Sequence, residues 1–302
     1  MTETPLATEN QAQICRITCG WKKPELPLDV VRRYWRDVHS PAIARRPGIW
    51  EYRHFQYDAV RPLFAAIDGV AQECEAGEQL MWLSDVRYAD DAALAIFSAD
   101  PNPEVRGQLL GDIDLIVDQS TTYRVVEELG HTFVDRSGTS QPQGAPAAPT
   151  FALFLRQRGD EAAFRAQLGS IAAKWADDPA TIRLRLALFE APDMEAERKS
   201  GYPIKTHPPE RQYQAWIDLT VESESDLARL VADVDLAPEV SALHIYPVRA
   251  IYTSNREGKP TFVGLRGYPA LAAMTALGGS NQAHPALLEW MYGPIAAGVR
   301  LP

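Results

Sequence analysis

The feature that most restricts how this chain can fold is that it spells one order of elements twice. Setting Pro47 against Pro179, an offset of 132 residues, brings Leu28-Asp29 onto Asp160-Glu161 and Phe55 onto Ala187 without gaps. Each half opens with a short strand pattern, Ile14 to Gly20 and Phe151 to Arg156, runs into an amphipathic helix and returns as an alternating strand. A polar stretch follows, then another strand (Gln79 to Asp85; Gln212 to Thr220), a second helix and a closing strand (Thr121 to Glu128; Val240 to Tyr252).

Strand-helix-strand, used twice per half, is the split βαβ pattern of a ferredoxin-like unit. The predicted class is therefore α+β, with tandem units at 1–136 and 150–257. Each sheet has a face that its own helices leave bare, so the two are expected to pack sheet to sheet as an α/β barrel. Residues 137–149, SGTSQPQGAPAAP, read as the linker. Residues 258–302 form a C-terminal extension with a helix expected around Ala286 to Met291.

Composition narrows the function classes. The 46% hydrophobic and 23% charged residues are those of a globular chain, and 40 acidic against 30 basic side chains give a net charge of −10. That sign repels phosphate backbones and anionic lipid, so neither nucleic acid nor a membrane is an expected partner. Cys15, Cys19 and Cys74 are few and odd in number, without a second Cys/His pair for a metal, and read as reduced thiols. The start MTETPLATENQAQ lacks a basic and apolar leader, and a cytoplasmic location is expected.

The chemistry concentrates in residues 28–53. On helical spacing Val31, Tyr34, Trp35, Val38 and Ala42 form the inward stripe, with His39 on its flank. The next strand places Trp50, Tyr52 and His54 on one face, and the repeat matches these to Ile182, Leu184 and Leu186. That face is therefore expected to be covered, although two histidines and a tyrosine stand where the second half has aliphatic residues. Burying such groups costs on the order of 1 to 3 kcal/mol each unless they find hydrogen bonds. Either they are satisfied core residues, with His39 capping a helix that ends before Ser40-Pro41, or they face a ligand. In the second case a buried imidazole is suited to take and return a proton, and a phenol to donate to an oxyanion. His244 and Tyr246, near Trp216 and Asp218, are a weaker second cluster.

The run Tyr34-Trp35-Arg36-Asp37-Val38-His39-Ser40-Pro41, followed by Arg46-Pro47-Gly48 and an aromatic strand, resembles the signature of EthD-domain proteins. That family belongs to the dimeric α/β barrel superfamily, so the resemblance implies the same fold as the repeat. It also implies accessory proteins without an assigned reaction, or dehydration and decarboxylation of aromatic polyketides. Related barrels include cofactor-free cyclases and isomerases as well as haem enzymes. The expected function is a cofactor-independent lyase, dehydratase or isomerase acting on a small aromatic or cyclic substrate. His39 and His54 would be the acid/base pair, Tyr52 an oxyanion donor, and Trp35, Trp50 and Tyr34 the substrate walls. A haem enzyme in the same cleft, or a non-catalytic binding protein, are the alternatives, and a homodimer is compatible with exposed sheet edges.

Overall fold

The computed structural model describes residues 8–99, 103–193, 195, 207–299 and 301. Residues 1–7 of the expected first unit, with Arg300 and Pro302 of the extension, lie outside the described residues.

In the first half, β1 (Ile14–Lys22) leads into a helix made of α1 (Leu28–Tyr34), a π turn (Trp35–His39) and α2 (Ser40–Ala44). Strands β2 (Ile49–Tyr57) and β3 (Trp82–Tyr88) follow, then α3 (Asp91–Ser98), α4 (Pro103–Leu110), α5 (Ile113–Ile116) and β4 (Val117–Val126). Strands β5 (Gly130–Asp135) and β6 (Gln143–Gly144) connect to the second half. That half comprises β7 (Thr150–Gln157), α6 (Glu161–Asp177), β8 (Thr181–Leu188), β9 (Ala215–Val221), α7 (Glu224–Ala232) and β10 (Val240–Arg256). The extension adds β11 (Lys259–Pro260), α8 (Phe262–Arg266), α9 (Tyr268–Leu277) and α10 (Pro285–Tyr292).

The strands run in the order β4-β1-β3-β2-β10-β7-β9-β8-β5, all antiparallel. Within each half the order is fourth-first-third-second, so the two split βαβ units are as the repeat predicts. They join because the 17-residue β10 outruns its own unit, pairing with β7 through Val240–Pro247 and with β2 through Val248–Asn255. At the far side Glu190, beyond β8, donates its N–H to the carbonyl of Arg124 in β4 at 3.0 Å. This bond brings the outer strands of the two halves together within one chain. Strand pairing also crosses the linker: β5 pairs with β8 and β6 with β10.

Alternation along the strands separates two kinds of space. Outward residues pack under helices, as Leu153, Leu184 and Ile217 do with Phe164, Leu168 and Trp175 of α6. Inward residues of both halves share one barrel core, including Ile17, Phe55, Leu83, Phe154, Trp216 and Tyr246. The extension forms a further cluster around Phe262, Leu265 and Leu288, and α8 packs on α2. No helix among the described residues is long and apolar enough to cross a membrane.

Beside the apolar barrel core lies an ionic one, with Arg53, Arg87, Arg183 and Arg185 buried together with Glu9, Glu51, Asp85 and Asp218. Arg87 holds Glu9 at 2.9 Å and Glu51 at 3.1 Å and also bonds Asp85. Arg183 holds Glu9 at 2.6 Å and Asp218 at 3.1 Å. Burial alone would raise the Glu9 and Asp85 carboxyls, but the surrounding guanidiniums outweigh it and hold both below the ordinary range. Removing one partner would strand buried charge, so Arg87→Ala is expected to destabilise the fold by about 3–5 kcal/mol in urea denaturation. A variant as stable as the wild type would show that these ions do not hold the barrel.

Candidate functional site

The first helix cannot run straight through Pro41, which has no N–H to continue the ladder. The chain absorbs this with a π turn, in which the Ser40 N–H bonds the Trp35 carbonyl five residues back. The helix thus continues to Ala44 rather than ending at His39, and the wider turn changes which residues face inward. Val38, expected inside, is 49% exposed, whereas Trp35, His39, Ser40, Ile43 and Ala44 are buried.

This turn lays Trp35 and His39 over the β2–β3 surface. Their rings stack at 4.1 Å, and Trp35 lies against Trp82 of β3 at 4.5 Å. Trp82 can lie flat because its neighbour is Gly20, where a Cβ would stand 2.1 Å from the indole. His54 is 6.3 Å from Trp35 and 6.2 Å from Tyr252.

His39 Nδ1 is 3.0 and 3.2 Å from the two oxygens of Asp112, at the start of α5. A carboxylate accepts, so Nδ1 is the His39 nitrogen that donates across this contact, which leaves Nε2 turned away from Asp112. The Tyr52 hydroxyl is 3.0 Å from Ser40 Oγ and 3.4 Å from Ser84 Oγ, and burial raises its pKa, keeping it a neutral phenol. His54 Nε2 meets the Gln56 amide at 3.3 Å. Burial first, then His39 and Arg36, push the His54 pKa down to about 3, so it stays uncharged at neutral pH. Two buried nitrogens in this layer, Trp82 Nε1 and His54 Nδ1, have no hydrogen-bond partner, while the Trp35 indole N–H lies against the Tyr52 hydroxyl.

Of the six residues singled out from the sequence, Trp35, His39, Tyr52 and His54 come together. Tyr34 is half-buried beside them, its hydroxyl pKa raised by burial and by Asp112. Trp50 stands apart, because β2 bulges between Ile49 and Glu51 and breaks the alternation there. Its indole donates to the Thr8 carbonyl at 3.3 Å, and Ile49 takes the place on the Tyr52 side. The repeat carries the same irregularity, with a shift between Thr181 and Arg183 around Ile182. Asp112 and Trp82 escaped the sequence reading. Asp112 is 73 residues from His39 and reads as a solitary acid, while a flat Trp82 could have been suspected from Gly20 opposite it.

His244 and Tyr246 face the barrel core instead, where the Tyr213 hydroxyl meets His244 Nδ1 at 2.7 Å and the Tyr246 hydroxyl accepts the Leu80 N–H at 3.2 Å. Among the described residues no three His, Cys, Asp or Glu side chains converge as a metal site would need. The layer as packed does not fit a haem, because a porphyrin between sheet and helix would require Trp35 and Trp82 to part.

No family model matches the chain, and no curated protein matches it. Among solved structures it is similar to a monooxygenase candidate from Fusobacterium nucleatum subsp. nucleatum at 8% identity, with a TM-score of 0.47 over 82% of this chain and 97% of that one. An anthrone oxidase-like protein matches at 11% identity and a TM-score of 0.46, over 83% and 97%. A dye-decolorizing peroxidase from Bacteroides thetaiotaomicron matches at 10% and 0.43, over 82% and 95%. Identities of this size say nothing of shared chemistry.

An imidazole that is harder to protonate folded than unfolded costs stability as pH falls below its ordinary value of about 6.5. His54→Leu, which installs the residue of the second half, is therefore expected to flatten the loss of stability between pH about 6.5 and about 4. Thermal denaturation across that range checks this; an unchanged slope would mean that His54 is not held neutral.

Proposed function

We propose that the protein catalyses acid/base chemistry on a small aromatic or cyclic metabolite, as an isomerase, dehydratase or related lyase, with His39 as the base. The observation that carries the reading is the His39–Asp112 dyad set beside the unpartnered nitrogens of Trp82 and His54. A buried N–H without an acceptor costs about 1–3 kcal/mol, and a ligand oxygen at each would recover it. The EthD resemblance belongs to this reading, since its tryptophan and histidine fall on Trp35 and His39.

His39 Nε2 takes a proton from a carbon next to the substrate carbonyl, while Asp112 steadies the imidazolium that forms. The negative charge that develops on the carbonyl oxygen is met by the Trp82 indole N–H and the Tyr52 phenol once the Trp35–Trp82 contact opens to admit the substrate. His39 then returns the proton, either to another carbon, which isomerises the substrate, or to a departing hydroxyl, which leaves as water. The proton balances in both routes without an oxidant. His54, neutral, acts as a hydrogen-bond partner rather than as a second acid. Among the dyad and the residues packed on it, Asp112 is the most open, at 12% side-chain exposure.

The test begins with the absorption spectrum of the purified protein, where the acid/base reading expects no Soret band and the haem alternative requires one. Cyclic ketones and hydroxylated aromatics are then screened for turnover with wild type, His39→Ala and Asp112→Asn. Both variants are expected to fold, by circular dichroism, and to lose about 10²- to 10⁴-fold in kcat. Full activity in either variant would remove the dyad from the mechanism.

A further inference from the structure

On the other side of α1 an open groove of about 920 Å³ runs between that helix, residues 144–151 and the middle of β10. Its volume is that of a small-molecule site. Its charges do not cancel as those of an ordinary surface do. Arg33 pairs with Asp29 at 3.0 Å, and Arg36 makes two 2.6 Å bonds to Asp37. Glu224, on the rim, is taken by Arg61.

Arg32 and Arg249 are left with one carboxylate between them. They converge on the same oxygen of Asp58, Oδ1, at 3.7 and 3.3 Å. Among the described residues Arg32 otherwise bonds the Tyr57 carbonyl, and its buried Nε has no acceptor there. Burial and the facing Arg249 both lower the Arg32 pKa, as expected of two cations held together. One positive charge is thus in excess inside a concavity of a chain whose net charge is −10.

The groove also has an aromatic side. Tyr252 and Tyr268 meet edge to face at 4.9 Å, and the Arg36 guanidinium lies over Tyr268 at 4.7 Å, fixing that ring. Pro146, Pro149 and Pro247 line the groove as well. A planar ring would pack here with its edge or face against the tyrosines.

We propose that this groove binds a small organic carboxylate with a flat ring, its carboxylate reaching the Arg32 and Arg249 guanidiniums beside the single Asp58 oxygen they share and its ring on the Tyr252–Tyr268 side. A guanidinium pair gives a carboxylate short charge-assisted bonds, and residues 144–149, which include Pro146 and Pro149, line the groove on the linker side. The site stands on the groove alone and does not require catalysis by His39.

The test is isothermal titration with 1-naphthoate, with 1-naphthylmethanol as the uncharged counterpart and inorganic phosphate as the anion without a ring. Naphthoate is expected to bind, and more tightly than either control. Arg249 has a side chain 58% exposed, so its replacement leaves the fold intact. Arg249→Ala is expected to weaken naphthoate about tenfold, and Arg249→Glu further. His39→Ala should bind it as the wild type does, which separates this site from the dyad. Absence of naphthoate binding, equal affinity in Arg249→Glu, or phosphate bound as tightly as naphthoate would each overturn the proposal.

Discussion

Everything in this molecule hangs on one strand that is longer than its unit needs. A ferredoxin-like unit requires its fourth strand only to pair with its first, and β10 does so with β7 over Val240–Pro247. By continuing to Arg256 it lends its second half to β2, fusing two four-stranded sheets along one seam. The seam sets the curvature that encloses a single core from both halves. It also brings Tyr252 against His54 and leads into the extension, whose α8 packs on α2 behind the π turn.

The two faces of the curled sheet then do different work. The inner face carries aromatic packing at one end and ion pairs at the other, with Glu51, Arg53, Asp85 and Arg87 from one half and Arg183, Arg185 and Asp218 from the other. Glu9 enters this network from a turn ahead of β1, tying the described start of the chain to both halves. The outer face is covered by helices, apolar in the second half and, in the first, apolar with His54, Ser84 and Gln56 set among the hydrophobic residues. Duplicated architecture thus leaves one copy to hold the fold and the other free to change its chemistry, and every proposed acid, base and donor lies in the first copy.

Much of this was legible in the sequence, because element order and the inward or outward sense of a strand follow from periodicity and from the gapless repeat. Tyr52 and His54 fall where Leu184 and Leu186 predict, on the helix-covered side. What was not legible involves a departure from period or a distant partner. The π turn moved Val38 outward and His39 inward, and its only local cue is Pro41 inside an amphipathic pattern. The bulge at Trp50 removed that ring from the site. Strand β5 lies before the expected linker yet pairs with β8, a choice between partners that no local pattern encodes. Asp112 meets His39 only through the tertiary fold. The charges at Arg183 and Arg185, set at alternate positions in the otherwise largely apolar β8, were a visible signal of a buried ionic core, since single charges of this kind survive burial only when paired.

The central claim is that Asp112 fixes the proton of His39 on Nδ1 and leaves Nε2 free to act. Long-range ¹⁵N–¹H correlation spectra of histidine-labelled protein at pH 8, with His39→Ala to assign the resonance, read that directly. The account predicts the Nδ1–H form in the wild type and a loss of that preference in Asp112→Asn. A proton on Nε2, on both nitrogens, or a tautomer indifferent to Asp112 would contradict it.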